Sequence, residues 1–126
     1  MVKGLWRGET LYARFMLDQV LRNELMRMLT WYVGQQTEFT RNLGAFWKDL
    51  RRYLKPELWD QLERTFADAS AEHTWEALFA MCDLFRTAAL AVSRHSGFEY
   101  PRDSDIRVEA HLRHVRALPR DAAEMY

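Results

Sequence analysis

With 126 residues and 15.1 kDa, the chain has the length of one domain and can bury a core without disulfide or metal staples. Apolar residues at 48% and aromatic residues at 13% exclude intrinsic disorder, and only 5 Gly and 3 Pro argue against a turn-rich all-β chain. Lys plus Arg balance Asp plus Glu at 18 each, so the basic excess of a polyanion binder is missing and nucleic acid is not an expected partner. The single cysteine, Cys82, excludes a disulfide framework and cannot alone build a thiolate zinc site. No apolar run approaches ~18 residues, so no membrane span is expected. Nothing in Met1–Glu9 resembles a secretory leader, and a reducing cytoplasm is the expected setting.

Helical periodicity begins near Glu9 and runs to Val33. Leu11, Tyr12, Phe15, Met16, Val20, Leu25, Met28, Leu29 and Tyr32 recur at three- and four-residue steps. Arg14, Asp18, Arg22 and Arg27 fall between them as the expected solvent face, with Gly34 as the stop. Gln35 to Gly44 is polar and aperiodic and reads as a loop. A short helix is expected through Phe46, Trp47, Leu50 and Tyr53, and Pro56 suits the first turn of another carrying Leu58, Trp59, Leu62 and Phe66. The longest helix has Ser70 as N-cap and Glu72 in its first turn. Trp75, Leu78, Cys82, Phe85, Ala89 and Val92 form one stripe, and Gly97 ends the run. At 1.5 Å per residue this helix is about 40 Å long, the length of a bundle element. After Tyr100-Pro101, Asp103 or Ser104 is expected to cap a last helix reaching about Leu118, stopped by Pro119, with a frayed tail to Tyr126. The fold class is therefore all-α: one up-and-down helical bundle of about five helices over residues 1–126.

The charges are patterned. Between Asp68 and Phe85 there are acids and no Lys or Arg, and Glu76 and Asp83 lie about 40° and 20° around the helix from Glu72. An i,i+4 pair of like charges costs a few tenths of a kcal/mol, roughly, so this stripe reads either as a solvated helix face or as a cation-binding surface. Lys3, Arg7 and Arg14 form a matching basic stripe if one helix runs through Gly4 and Gly8; such a stripe can hold phosphate oxygens or stand in solvent. His111 and His114, i,i+3 on the last helix, lack the further ligands a metal site needs, so no metal is expected. Asp103-Ser104-Asp105 has the form of an Asp-x-Asp metal clamp without a phosphate loop before it, and helix capping is the better reading. Cys82, on the apolar stripe, behaves as a small hydrophobe. Trp6 lies outside any apolar stripe and is the tryptophan available to a ligand.

Several motifs in one order carry a resemblance. They are Lys3-Gly4-Leu5-Trp6-Arg7-Gly8-Glu9 with Leu11-Tyr12-Ala13, Met28-Leu29-Thr30-Trp31-Tyr32-Val33-Gly34, and Tyr53-Leu54 with Pro56-Glu57-Leu58-Trp59. Trp75-Glu76-Ala77-Leu78-Phe79, Met81-Cys82-Asp83-Leu84-Phe85-Arg86 and Gly97-Phe98-Glu99-Tyr100-Pro101 complete the set. Together they resemble the C-terminal helical domain of aminoglycoside 6-adenylyltransferases, also called streptomycin adenylyltransferases, over essentially the whole chain. The resemblance implies antibiotic resistance by transfer of AMP from ATP to a drug hydroxyl, with pyrophosphate leaving. In that family a preceding α/β nucleotidyltransferase domain holds Mg-ATP. Such a domain is not in this sequence, so the expected chain is the substrate-side half of the enzyme, inactive alone. It has no catalytic residue and binds no cofactor by itself, while ATP and Mg²⁺ are implied for the complete enzyme. The resemblance implies a cationic aminoglycoside as ligand, facing Glu76 and Asp83, with Trp75 or Trp6 packed on a sugar face and Glu9 and Glu72 as further acids. It implies that Lys3, and Arg7 less directly, meet nucleotide phosphates. Expected partners are a separate nucleotidyltransferase chain or, through uncovered apolar surface, a second copy in a homodimer. Arg107 and His114 form an Arg-x6-His pattern that resembles the catalytic pair of HEPN-type ribonucleases; the alternative is thus a HEPN-like partner module or ribonuclease, against which the balanced charge argues.

Overall fold

The computed structural model describes residues 1–40 and 42–119, so the tail expected to fray towards Tyr126 lies outside the described residues. Every regular element among them is helical: α1 (Val2–Trp6), α2 (Thr10–Phe15), a π-helical turn (Met16–Leu21), α3 (Arg22–Gln36), α4 (Pro56–Arg64), α5 (Ala71–Ser96) and α6 (Arg102–Ala117). The turn Met16–Leu21 joins α2 and α3 without a break in the chain's helical path, so five helical runs make up the bundle.

α5 is the axis. It packs chiefly against α3 and α4, while α1 leans on α2 and α6. The core holds Leu17, Leu25, Leu29 and Val33 from the first long run, Leu50, Leu54, Leu58 and Leu62 from the middle, and Leu78, Met81, Leu84, Ala88 and Val92 from α5. Leu112 and Val115 of α6 close it.

Local chemistry sets most boundaries. Pro56 stands in the first turn of α4, where its missing N–H costs nothing. The Ser70 hydroxyl accepts from the His73 amide at 3.1 Å and starts α5, which Gly97 ends at φ +80°. Replacing Ser70 with alanine is expected to lower stability by about 1 kcal/mol, measured by urea unfolding, because one amide of the helix's first turn loses its side-chain acceptor. α6 begins at Arg102, earlier than expected. Pro101 holds the N-cap position without a side-chain bond, and Asp103 sits inside the first turn.

Three expectations are corrected. Gly34 does not stop the first run, which continues to Gln36; a Cβ at Gly34 would lie 2.2 Å from Phe39 Cε1, so the glycine makes room for the returning loop. The short helix expected through Phe46 and Tyr53 is two 3₁₀ turns, Ala45–Trp47 and Leu50–Arg52. Leu11, Tyr12, Phe15 and Val20, expected in the core, are exposed, whereas Arg22, expected in solvent, is buried. Ala13 faces inward before the π turn, Leu17 within it, and Arg22, Leu25, Met26 and Leu29 after it. A π turn shifts the helical register, so one 3.6-residue period cannot describe both sides.

Candidate functional site: an acidic hollow at the start of the long helix

The segment Asp68-Ala69-Ser70 folds back on itself before α5. The Asp68 carboxylate accepts from the Ser70 amide at 3.0 Å and from His73 Nδ1 at 2.8 Å. The Asp68 carbonyl accepts from Arg14 at 2.8 Å, which ties α2 to this turn. The Ser70 amide, and then His73, hold the Asp68 carboxyl below the usual aspartate range. The Asp68 partner, helped by Glu76 and Glu72, holds the His73 imidazole above its ordinary value.

A hollow of about 380 Å³ opens beside this turn, walled by Arg64, Phe66, Asp68, His73, Glu76 and Ala80. Glu76 is exposed and has no ion-pair partner among the described residues. Glu72 is exposed one turn earlier on α5. Asp68 and Glu76 stand in the hollow with Arg64 and His73, and His73 already takes up Asp68, so Glu76, with Glu72 one turn away, is the carboxylate left to attract a cation.

Asp83 is not part of the hollow. It lies two turns further along α5, roughly 10 Å of helix rise from Glu76, and pairs with Arg86 at 3.1 Å. Arg86 is a hub: its guanidinium also bonds Asp105 and reaches Glu109 at 3.5 Å, and the Tyr100 hydroxyl donates to Asp105 at 2.8 Å. Burial first, then that hydrogen bond, pushes the Tyr100 phenol up to about 12.

The tryptophans depart from expectation. Trp75 is 7% exposed and stacks on Phe79 with ring centroids 6.2 Å apart, so neither of its faces is open to a sugar. Trp6 is half-buried against the core and donates its indole N–H to the Pro119 carbonyl at 3.3 Å. The aromatic edge of the hollow belongs instead to Phe66, whose ring carries the Arg22 guanidinium 3.8 Å from its centroid.

The basic stripe is broken. α1 has five residues, and Gly8 at φ +77°, a conformation glycine adopts without strain, turns the chain before α2. Lys3 and Arg7 remain exposed neighbours, but Arg14 turns away to Asp18, at 3.1 Å, and to Asp68. Glu9 is exposed at the position preceding α2. Arg107 and His114 are both exposed on α6, two turns apart, with Arg107 directed at Ser104 Oγ at 3.4 Å. Burial pushes the Cys82 thiol up to about 11, which keeps it an unreactive apolar group at neutral pH. Among the described residues no three His, Cys, Asp or Glu converge on a possible metal ion, and no helix is long and apolar enough to cross a membrane.

The sequence reading missed Arg22, Arg86 and the Asp68–His73 pair as organising groups. Arg86 stands at i+3 from Asp83, and Asp68-x-Ser70 has the spacing of a carboxylate-capped turn, so both left a local signal. The burial of Arg22 left none.

Comparison with known proteins fits this architecture. The crystal structure of an aminoglycoside 6-adenyltransferase from Bacillus subtilis superposes with a TM-score of 0.81 at 31% identity, covering 93% of this chain and 44% of that one. The fold is thus of the class found in the helical portion of aminoglycoside nucleotidyltransferases. The Streptomycin adenylyltransferase family model matches residues 1–115, and the chain belongs to that family. It is 34% identical over 101 residues to the aminoglycoside 6-adenylyltransferase of Bacillus subtilis (strain 168) and 35% identical over 101 residues to that of Campylobacter jejuni. Each of these matches takes in 80% of this chain, and the chain spans about a third of its relatives' length, 36% and 35% respectively.

Proposed function

We propose that this chain forms the drug-facing helical wall of an aminoglycoside adenylyltransferase and does not catalyse AMP transfer by itself. In this reading a polycationic aminoglycoside lies with an ammonium or guanidinium group in the hollow at Glu76, opposite a nucleotidyltransferase half that binds ATP. The observation that carries the reading is Glu76, an exposed carboxylate in no close ion pair among the described residues, on a concave surface within a chain of this family. Lys3 and Arg7 are proposed to meet nucleotide phosphates as exposed cations near the N-terminus. Mg²⁺ supplies charge neutralisation at phosphates when bound to such enzymes, but the residues described here do not fit it, and no step is assigned to it on this chain. Glu72 and Glu9 add negative potential, while Asp83 shares its charge with Arg86 and is proposed as a weaker contact.

The test joins the part of the Bacillus subtilis relative outside the match to the N-terminus of this chain and follows AMP transfer from Mg-ATP to streptomycin. The 126-residue chain alone is expected to transfer nothing. In the chimera, Glu76→Gln is expected to raise the streptomycin KM by about tenfold or more, the loss of one charged hydrogen bond. Asp83→Asn is expected to have less effect, because a guanidinium already competes for that carboxylate. An unchanged KM for Glu76→Gln removes Glu76 from the drug site.

A further inference from the structure

We infer that the outer face of α2, continued by Phe66, is the docking surface for the nucleotidyltransferase half, whichever polypeptide carries that half. The inference rests on the functional reading above. Leu11 is 85% exposed, Phe15 60% and Tyr12 53%, so a six-residue helix shows three large apolar side chains to water. Leu11 and Phe15 are i,i+4 and share one side, while Ala13 and Leu17 supply the side that meets the core. Arg14, the only charged residue of α2, is turned aside to Asp18 and the Asp68 carbonyl. An exposed face both apolar and stripped of charge marks a surface built to be covered.

Two observations say what covers it. The matched region makes up 44% of the solved relative and about a third of the curated ones, so the larger part of each lies outside it and supplies a body large enough to cover this face. The face also leads to the hollow. Arg14 on the Asp68 carbonyl and Arg22 on the Phe66 ring bind the α2–α3 run to residues 65–68, and Phe66, itself 61% exposed, forms a wall beside Glu76. A body seated on α2 and Phe66 closes over the hollow and brings its own residues to a cation held there, as a two-walled site requires.

The chimera described above and the 126-residue chain are compared by hydroxyl-radical footprinting. Labelling of Leu11, Tyr12 and Phe15 is expected to be lost in the chimera and kept in the chain alone, with the exposed Ile106 and Val108 of α6 labelled equally in both. The double variant Leu11→Ser, Phe15→Ser is expected to leave the lone chain's thermal midpoint unchanged, since neither side chain is in the core. In the chimera it is expected to restore labelling of Tyr12 and to cut AMP transfer by about tenfold or more, the weight of a central interface contact. Equal labelling of α2 in both proteins overturns the proposal, as does protection that falls on α6 instead. Protection of α2 in the lone chain that grows with its concentration assigns the face to a second copy and likewise overturns it. The two readings fail separately: α2 protected with no transfer to streptomycin defeats the function and leaves the docking, and transfer with α2 still labelled does the reverse.

Discussion

Replacing Arg22 by methionine is expected to lower the unfolding free energy by about 3 kcal/mol and the thermal midpoint by about 10 °C. Arg22 is 9% exposed, and its guanidinium donates to the Thr65 hydroxyl and, at 2.9 Å, to the Thr65 carbonyl. Thr65 is the residue that caps the C-terminal end of α4, where carbonyls lack helical partners and a positive charge is favoured. The Thr65 hydroxyl in turn donates to the Leu62 carbonyl, so a single side chain completes the end of the helix. Methionine fills most of the volume but leaves the Thr65 carbonyl buried without a donor, a cost of about 1–3 kcal/mol, and removes a cation–π contact of about 1 kcal/mol. Burial pulls the Arg22 pKa down and Asp18 offsets part of this, yet a guanidinium stays charged throughout the accessible range. Arg22→Lys keeps the charge and loses the planar fork, so it is expected to recover only about half of the deficit. Urea unfolding of the two variants measures both numbers. A loss below about 1 kcal/mol for methionine means that Arg22 contributes as a solvated surface residue does.

Arg22 also shows where sequence reasoning reaches its limit. Pro56, Ser70 and Gly97 were legible because caps and stops are chemistry between residues a few positions apart. The long run was legible as helix from apolar spacing alone from about Glu9 to Val33, though not its continuation through Gly34 to Gln36. Which side of it faces inward was not. The turn Met16–Leu21 bonds in the π pattern, and carrying one period across it put Leu11 and Phe15 inside and Arg22 outside, the reverse of the structure. Nothing in the residues 16–21 announces such a turn. The same distinction holds at the hollow. Exposure of Glu72, Glu76 and Asp83 on one helix followed from the 100° step. The concavity did not, because Arg64 and Phe66 come from the end of α4, and only tertiary packing brings them beside Glu76. For Trp75, membership in the apolar stripe was the better guide, and its burial leaves Phe66 as the aromatic at the hollow.

Arg86→Met is expected to cost about 2–3 kcal/mol at neutral pH, and the loss depends on pH in a definite direction. Arg86 stands on α5 and binds Asp105 and Glu109 of α6 as well as its neighbour Asp83, so it is a polar fastening between α5 and α6. Removing it leaves Asp83 without its ion-pair partner and Asp105 with only the Tyr100 hydroxyl, while Glu109 keeps Arg113 at 3.4 Å. The Arg86 hydrogen bonds hold the Asp105 carboxyl below its ordinary value of 3.8. A carboxyl depressed on folding contributes stability that is complete above that ordinary value and drains away as pH falls through the lower folded one. The difference between the parent and Arg86→Met is therefore expected to be largest from about pH 5 upward and to shrink below the ordinary aspartate range, as Asp105 takes up its proton. Thermal midpoints recorded at a series of pH values give this difference directly. A constant difference down to acid pH would show that Arg86 acts through packing of its aliphatic stem rather than through Asp105. If Asp83 contacts the drug as proposed, the same substitution frees it from its guanidinium, and streptomycin binding by the chimera should tighten even as the α5–α6 junction weakens.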